Sequence, residues 1–256
     1  MITAVALPGI PEVHAGDEPA ALIADALARP GGPAPGRAGS GSVIVVAHKL
    51  ISKAEGRTRR LADVAPSAQA VELAARLGGK DPRHVQVVLD ETRAVRRAER
   101  GVLICETRHG FVCANAGVDA SNAAEDETVI MLPLDPDASA RRLRAGLARR
   151  IGAAPAVLVA DSFGRAWRHG QCDVAIGCAG LQPLEDWRGR TDRRGRELKA
   201  TLIATADELA AAADLARTKD GGQPAVLVTG LARVTCTDDG PGIAPLLRGP
   251  DTDLFR

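Results

Sequence analysis

The chain has 256 residues, of which 45% are hydrophobic and 25% charged, as is typical of a globular protein. Its 33 lysines and arginines nearly balance its 32 aspartates and glutamates, so no charge excess indicates a nucleic-acid partner or an acidic tail. The sequence contains three phenylalanines, two tryptophans and no tyrosine. This scarcity disfavours a single-stranded nucleic-acid binder, because that class stacks bases on aromatic rings.

The cysteines and the N-terminal sequence indicate the cellular compartment in which the protein works. Five cysteines occur and none forms a C-x-x-C pair, which predicts buried free thiols in a reducing cytoplasm and disfavours a zinc site. The first residues lack a basic segment and are interrupted by Pro8, so they do not resemble a signal peptide. No apolar run reaches the roughly 18 residues of a membrane span. We therefore expect a soluble, cytoplasmic protein without a membrane or nucleic-acid partner.

The first part of the chain predicts strands and helices separated by glycine- and proline-rich turns. Residues 2–7 predict a strand that ends at the turn beginning with Pro8. Residues 19–29 predict a helix, and the Gly/Pro-rich stretch 30–42 predicts a surface loop. The apolar run 43–47 is typical of a buried strand. Two further helices are predicted, one at about residues 67–77 and one beginning at Asp81 and Pro82.

The second part begins with a predicted hairpin, in which strands 102–105 and 111–114 flank Arg108, His109 and Gly110. The pattern then predicts strands at 128–132, 157–160, 174–179 and 225–229, a helix at 137–151, and a second helix opened by a capping box at 205–208 and ending near 216. Strands and helices do not alternate cleanly. We therefore expect an α+β fold with a mixed, largely antiparallel sheet, as one unit over residues 1–256 that could divide into two lobes.

The common nucleotide-binding and hydrolase motifs are absent from the sequence. No G-x-x-x-x-G-K-[ST] loop occurs, and no G-x-G-x-x-G follows a strand and opens a helix. H-E-x-x-H and G-x-S-x-G are also missing. The sequence therefore excludes the standard P-loop, Rossmann, metalloprotease and esterase interpretations.

Four segments carry the candidate chemistry: the turn 8–13, the strand and charged stretch 45–57, the small-residue loop 108–122, and the stretch 160–173. Cations at the end of strand 43–47 would suit a polyphosphate, although a solvated charged turn is the simpler alternative. Asp119 and Asp161 could supply the protein ligands of a Mg2+ or Mn2+ ion. Each could instead form a turn or cap a helix. Spacing alone does not show that the two aspartates converge.

Taken together, these segments and the stretches 132–140 and 195–198 resemble the coenzyme F420-0:L-glutamate ligase (gamma-glutamyl ligase) family. The resemblance implies a family-specific α+β fold that is neither P-loop nor Rossmann. It also implies a homodimeric, GTP-dependent ligase that adds L-glutamate to coenzyme F420-0. Family membership further implies two Mg2+ or Mn2+ ions per site, often with K+.

The resemblance also implies a course for the reaction. The terminal carboxylate of the phospholactyl group is activated as an acyl phosphate, which the amino group of L-glutamate attacks. Further glutamates can follow through gamma linkages. Because the sequence ends near Phe255, we expect the flavin-binding second domain of longer actinobacterial members to be absent.

Site residues follow from the resemblance by position. The implied nucleotide contacts are Ile10, Pro11, Glu12, Val13, His48, Lys53, Asn122 and Asp220. Asp119 and Asp161 match ligands of one metal ion, and Ser162 matches a ligand of the other. The chain departs from the family pattern at Ala47 and His48, where Ser, Thr or Gln is common, and over residues 218–222, where the match is poor.

General bases and cations complete the expected site. His109 and Glu197 are the expected catalytic residues, and Asp173 is a further candidate for the base that deprotonates the attacking amine. Lys53, together with Arg165 or Arg168, would add fixed positive charge. A metal-dependent nucleotide phosphohydrolase could use the same carboxylates, so it remains the main alternative. The presence of both Asp119 and Asp161 disfavours a catalytically dead nucleotide-binding protein.

Overall fold

A computed structural model describes residues 1–120 and 127–253 of the chain. The strands are β1 (Thr3–Ala6), β2 (Ser42–Ala47), β3 (Thr58–Arg60), β4 (Thr92–Glu99), β5 (Val102–Thr107), β6 (Val112–Ala114), β7 (Thr128–Ile130), β8 (Ala156–Arg165), β9 (Arg168–Ala179), β10 (Glu185–Asp186), β11 (Leu202–Ile203) and β12 (Ala225–Thr229). The α-helices are α1 (Pro19–Ala28), α2 (His48–Ala54), α3 (Ala68–Arg76), α4 (Pro82–Asp90), α5 (Pro136–Ile151) and α6 (Thr205–Asp214).

The main sheet has five strands in the order β1-β12-β2-β8-β9. All its neighbours pair antiparallel except β2 and β8, which are parallel, with Ala47 opposite Ala160. Parallel neighbours run in the same direction, and β2 ends at Ala47 whereas β8 continues past Ala160. The residues that follow Ala47 and Ala160 therefore emerge side by side, and this pairing positions the candidate site.

The main hydrophobic core surrounds this sheet. Val43, Ile44, Val45 and Val46 of β2 are fully buried, as expected of a continuous apolar strand covered on both faces. Helix α5 packs against β8 and β9, α1 packs against α5, and α6 contacts β9. The three-stranded sheet β4-β5-β6 belongs to a second hydrophobic cluster with α3 and α4.

The structure confirms the predicted α+β class with a mixed, largely antiparallel sheet. It also confirms the hairpin around His109, in which β5 pairs antiparallel with β6. The strand predicted at 157–160 continues to Arg165, because residues 161–165 pair with β9. Within the described ranges, no helix is long and apolar enough to cross a membrane.

Some local predictions were wrong or incomplete. The capping box at Thr205 does not form: the residue before the helix is Ala204, which has no side chain that could cap it. Thr205 instead donates a hydrogen bond from its hydroxyl to Glu185 Oε1 at 3.4 Å. Helix α2 was not predicted, and neither was β4, whose polar, half-exposed pattern lacks the alternation of a buried strand.

Candidate functional site

A cavity of about 730 Å³ lies beside the main sheet where β2 ends, next to Ala160 of β8. Six separate stretches of the chain contribute to its wall. The lining includes Ile10, Pro11, Glu12, Val13, His48, Lys49, Lys53, Asp119, Asp161, Ser162, Gln171, Asp173, Arg217, Thr218, Lys219 and Asp220. The fold therefore brings together most of the site residues predicted from sequence.

Helix α2 carries the cations on one side of the cavity. It begins directly after β2, and Lys49 and Lys53 are four residues apart, so they lie on the same helix face. Lys53 donates a hydrogen bond to Glu12 Oε1 at 2.5 Å, and its side chain is 10% exposed. Lys49 Nζ lies 2.6 Å from Asp119 Oδ2. Each lysine thus holds an acidic residue from a distant part of the chain at the cavity wall.

His48 follows the end of β2, Asp161 follows Ala160 within β8, and the two side chains face one another. His48 Nε2 lies 3.4 Å from Asp161 Oδ1, without the geometry of a hydrogen bond, and has no hydrogen-bond partner in the described structure. On its other side, His48 Nδ1 lies 3.2 Å from Ser52 Oγ. Burial lowers the pKa of His48, against the opposing effect of the Asp161 carboxylate. This buried histidine is therefore neutral at pH 7.

The Asp161 carboxylate is in an electrostatically unfavourable position. Burial raises its pKa, and the nearby His48 and the backbone N–H of Ser162 oppose that rise. The Ser162 N–H donates to Asp161 Oδ1 at 2.8 Å. A cation bound beside this carboxylate would favour its charged form. Asp161 and its surroundings therefore fit a ligand of a positive ion.

Asp119 reaches the same cavity from another direction. Its backbone N–H donates to Ile130 O at 3.0 Å and its carbonyl accepts from Ile130 N at 2.8 Å, so a bridge to β7 fixes its position. Asp119 and Asp161 are hard oxygen donors, the type that Mg2+ and Mn2+ prefer. In residues 1–120 and 127–253, no three His, Cys, Asp or Glu side chains form a metal-binding group. The two carboxylates suit an ion that takes its other ligands from phosphate and water.

Ser162 and Asp173 form a separate network across the β8–β9 ladder, where the two residues pair. Ser162 Oγ donates to Asp173 Oδ1 at 2.5 Å. Arg217 Nη2 donates to Asp173 Oδ2 at 2.5 Å, and Lys219 Nζ donates to Ser162 Oγ at 2.7 Å. Asp173 is 1% exposed, so it is a buried carboxylate with cationic partners.

Arg217 and Lys219 are cavity residues that the sequence reasoning missed. The resemblance placed a nucleotide-binding segment near residues 218–222, but the poor match there left only Asp220 as a candidate. Asp220 lines the cavity, as do both missed cations. The signal that could have found them is the charge of the stretch from Arg217 to Asp220, which follows α6.

Other predicted residues lie away from the cavity lining. His109 packs on the Phe111 ring, with 5.5 Å between centroids, and its Nε2 lies 3.0 Å from Pro133 O. Burial lowers the pKa of His109. Glu197 is exposed and bridges to Thr191. The catalytic roles assigned to His109 and Glu197 therefore stay predictions.

Three further residues that were predicted from the sequence do not belong to the described cavity lining. Arg165 donates to the carbonyl of His169 at 2.5 Å near the β8–β9 turn, and neither Arg165 nor Arg168 is part of the cavity lining. Asn122 lies outside the described residues. The fixed charge on the described wall therefore comes from α2 and from the stretch after α6.

Comparisons with known proteins identify the family of this chain. The sequence profile of the F420-0:gamma-glutamyl ligase family matches residues 9–230. The Coenzyme F420:L-glutamate ligase of Methanothermobacter thermautotrophicus is 42% identical over 256 residues, which is 100% of this chain and 99% of the relative. The protein of the same name from Methanopyrus kandleri is 43% identical over 247 residues, 96% of this chain and 94% of the relative.

A third relative, the Coenzyme F420:L-glutamate ligase of Halobacterium salinarum, is 42% identical over 259 aligned positions, 99% of this chain and 95% of the relative. Each match extends over nearly the whole length of both proteins. The matched region contains the cavity residues from Ile10 to Asp220. The chain therefore belongs to the F420-0:gamma-glutamyl ligase family and is a ligase.

Proposed function

We propose that this chain uses GTP to join L-glutamate to coenzyme F420-0 through an amide bond. The observation that carries the proposal is the cavity, where four cationic side chains and two candidate metal-ligating carboxylates converge from distant segments. Such a site suits a nucleoside triphosphate and a second anionic substrate. The name of the full-length relatives, Coenzyme F420:L-glutamate ligase, indicates the two molecules that are joined.

The nucleotide would be held between the turn at residues 10–13 and helix α2. Ile10 and Val13 are buried and fix the turn, whereas the Glu12 side chain is 53% exposed at the cavity and contacts Lys53. Lys49 and Lys53 can offer positive charge to phosphate oxygens by exchanging their carboxylate partners for the ligand. Both lysines would therefore bind the triphosphate as point charges.

The reaction would proceed in two balanced steps. In the first, a carboxylate oxygen of F420-0 attacks the γ-phosphorus of GTP; an acyl phosphate forms and GDP leaves. In the second, the amino nitrogen of L-glutamate attacks the acyl carbon, inorganic phosphate leaves and the nitrogen releases a proton. Fixed cations that stabilise the charge on the transferring phosphoryl group are the expected source of much of the acceleration.

Asp119 and Asp161 would hold a Mg2+ or Mn2+ ion at this site, as their oxygen donors allow. When bound, the ion would neutralise negative charge on phosphate oxygens. The protein positions Asp161 by its place in β8 next to the end of β2, and Asp119 by its bridge to β7. The Asp161 carboxylate would then remain charged despite its burial.

The test is a turnover assay with purified chain, F420-0, GTP, Mg2+ and L-glutamate. We expect GDP release that depends on both F420-0 and glutamate, and a product whose mass has increased by one glutamyl residue. Replacing GTP with ATP tests which nucleotide the chain uses. GDP release at the same rate without glutamate and F420-0 would instead indicate the phosphohydrolase alternative.

We also propose that the chain works as a homodimer, as the family resemblance implies. Exposed apolar side chains on the small sheet β4-β5-β6, among them Val102 and Val112, support a protein contact there. Light scattering after size exclusion measures the mass in solution. A mass close to 26.5 kDa at micromolar concentration would contradict the proposal.

A further inference from the structure

The hydroxyl of Ser162, which the family resemblance places at a second metal ion, already has two fixed partners. It donates its proton to Asp173 Oδ1 at 2.5 Å and accepts a hydrogen bond from Lys219 Nζ at 2.7 Å. A hydroxyl has one proton and two acceptor lone pairs. Only one lone pair of Ser162 Oγ therefore remains for any further partner.

Asp173, the neighbouring carboxylate, is similarly engaged. Its Oδ2 accepts from Arg217 at 2.5 Å, and its Oδ1 accepts from Ser162 and lies 3.4 Å from Lys219 Nζ. Asp173 and the Arg217 side chain are 1% and 9% exposed, so this ion pair is largely shielded from water. Separating a buried ion pair leaves an uncompensated charge, so the pair resists exchange of its arginine for another cation.

The position of Lys219 makes a second divalent ion unfavourable. An ion bound to Ser162 Oγ would lie about 2.1 Å from that oxygen. Since Lys219 Nζ is 2.7 Å from the same oxygen, the ion and the ammonium could be no more than about 5 Å apart. Like charges at that distance repel each other, which disfavours an ion on this oxygen.

The Asp161 side of the cavity differs in this respect. In the described part of the chain, Asp161 makes no ion pair or hydrogen bond with a lysine or arginine; its partners are His48 and the Ser162 N–H, and Lys49 acts on it only through its charge. Asp161 thus lacks the directly bonded cations that Asp173 has. The two halves of the cavity, only one residue apart on β8, are electrostatically distinct.

We propose that the Ser162–Asp173 side of the site carries its positive charge as Lys219 and Arg217, so that this enzyme binds one divalent ion per site instead of two. The inference rests on the proposed function, because it concerns the cations that face the nucleotide phosphates. Lys219 is the residue that decides the number of ions. Its ammonium, anchored by Ser162 and by Asp214 Oδ1 at 3.2 Å, lines the cavity where the transferring phosphoryl group would lie.

The experiment counts bound Mn2+ by equilibrium dialysis with a non-hydrolysable GTP analogue in both chambers, and measures free Mn2+ by electron paramagnetic resonance. The wild-type chain should bind one Mn2+ per subunit. Lys219→Gln removes the ammonium and offers an amide oxygen, so it should bind two. Lys219 is 65% exposed, so the substitution leaves the core intact. Lys219→Ala is the second variant, and it too should gain an ion.

Lys199→Gln is the matched control, because Lys199 is exposed and lies outside the cavity lining. It should bind one Mn2+, like the wild type. Two ions of comparable affinity on the wild-type chain would overturn the inference, and so would a Lys219→Gln chain that still binds one. No Mn2+ on the wild type would instead overturn the Asp119–Asp161 site, a failure of the proposed function itself.

Discussion

At the scale of single residues, the site depends on carboxylates held in two different ways. Asp173 is buried with Arg217 against it, whereas Asp161 is buried beside a neutral histidine and has a raised pKa. A buried charge without a cation destabilises the folded chain, but the same property makes the carboxylate a strong ligand once an ion arrives. Asp161 therefore destabilises the metal-free chain, and the same uncompensated charge favours ion binding.

Asp161→Asn separates these two roles. The amide keeps an acceptor for the Ser162 N–H but loses the charge that would bind an ion, so we expect turnover to fall by roughly 10²- to 10³-fold. The melting temperature without metal should not fall, because the substitution removes a buried charge. Asp238→Asn, an exposed position, serves as control and should keep full activity. Normal turnover of Asp161→Asn would eliminate this residue as a metal ligand.

The pH dependence of stability tests the same carboxylate. The folded chain raises the pKa of Asp161 above 3.8. The contribution of Asp161 to stability is thus complete below the unfolded pKa and is lost as the pH rises through the folded pKa. Without metal, Asp161→Asn should gain melting temperature relative to the wild type as the pH rises from about 4 to 7. A difference that stays constant over this range would contradict burial as the cause.

Lys53 tests the nucleotide assignment. Hydrogen bonds to charged groups are worth about 1.5–3 kcal/mol, so Lys53→Ala should weaken GTP binding roughly tenfold to a hundredfold. The loss also leaves Glu12 without the partner that holds it 2.5 Å away, which adds repulsion toward phosphate. Lys53→Arg should restore binding only in part, because the guanidinium differs in shape and hydration. Calorimetric titration with GTP measures all three chains, and an unchanged affinity in Lys53→Ala would assign this lysine to packing.

At the scale of elements, the contact between α5 and β9 holds the strands that carry the site. Asp137 in the first turn of α5 accepts from the backbone N–H of Cys178 at 2.8 Å and of Ile243 at 3.2 Å. Gly177, next to Cys178 on β9, allows this approach because it has no side chain. The position of β9, and with it Asp173, depends on this close packing.

Gly177→Ala should therefore destabilise the protein. The added methyl group would lie 2.4 Å from the carbonyl carbon of Pro136 and 2.6 Å from its Cβ, which requires α5 to shift. We expect a loss of about 1–3 kcal/mol, or several degrees in melting temperature. Gly164→Ala on β8 is the control, since no atom lies within 4 Å of the added carbon. Equal melting temperatures for the two variants would show that α5 adapts freely.

Elements with a strong local sequence pattern could be predicted, whereas elements that form only by pairing with a distant strand could not. The buried run of β2 and the helix α5 fall close to their predicted positions. Helix α2 was missed because its seven residues are too few to show a periodic pattern. The extension of β8 to Arg165 was missed because residues 161–165 gain their strand conformation from β9, which no local pattern reveals.

At the scale of the whole molecule, the site arises from topology. The parallel pairing of β2 with β8 brings His48 next to Asp161, although 113 positions separate them in the sequence. Sequence reasoning could name both residues, but not their proximity, because a pairing between remote strands leaves no spacing signal. Arg217 and Lys219 were missed for the same reason: only the fold shows that they reach Asp173 and Ser162.

The charge of the whole cavity should also limit how many glutamates are added. Each added glutamate leaves the product with one more carboxylate, and that product must re-enter a site that also holds the triphosphate and the acidic residues Glu12, Asp119 and Asp220. The repulsion is worth about 1 kcal/mol per close pair even in water, so successive additions should slow. With limiting enzyme and excess glutamate, we expect mainly products with one or two glutamates, measured by mass spectrometry over time. Products with five or more glutamates that form without an accumulation of the shorter species would show that this single site is processive.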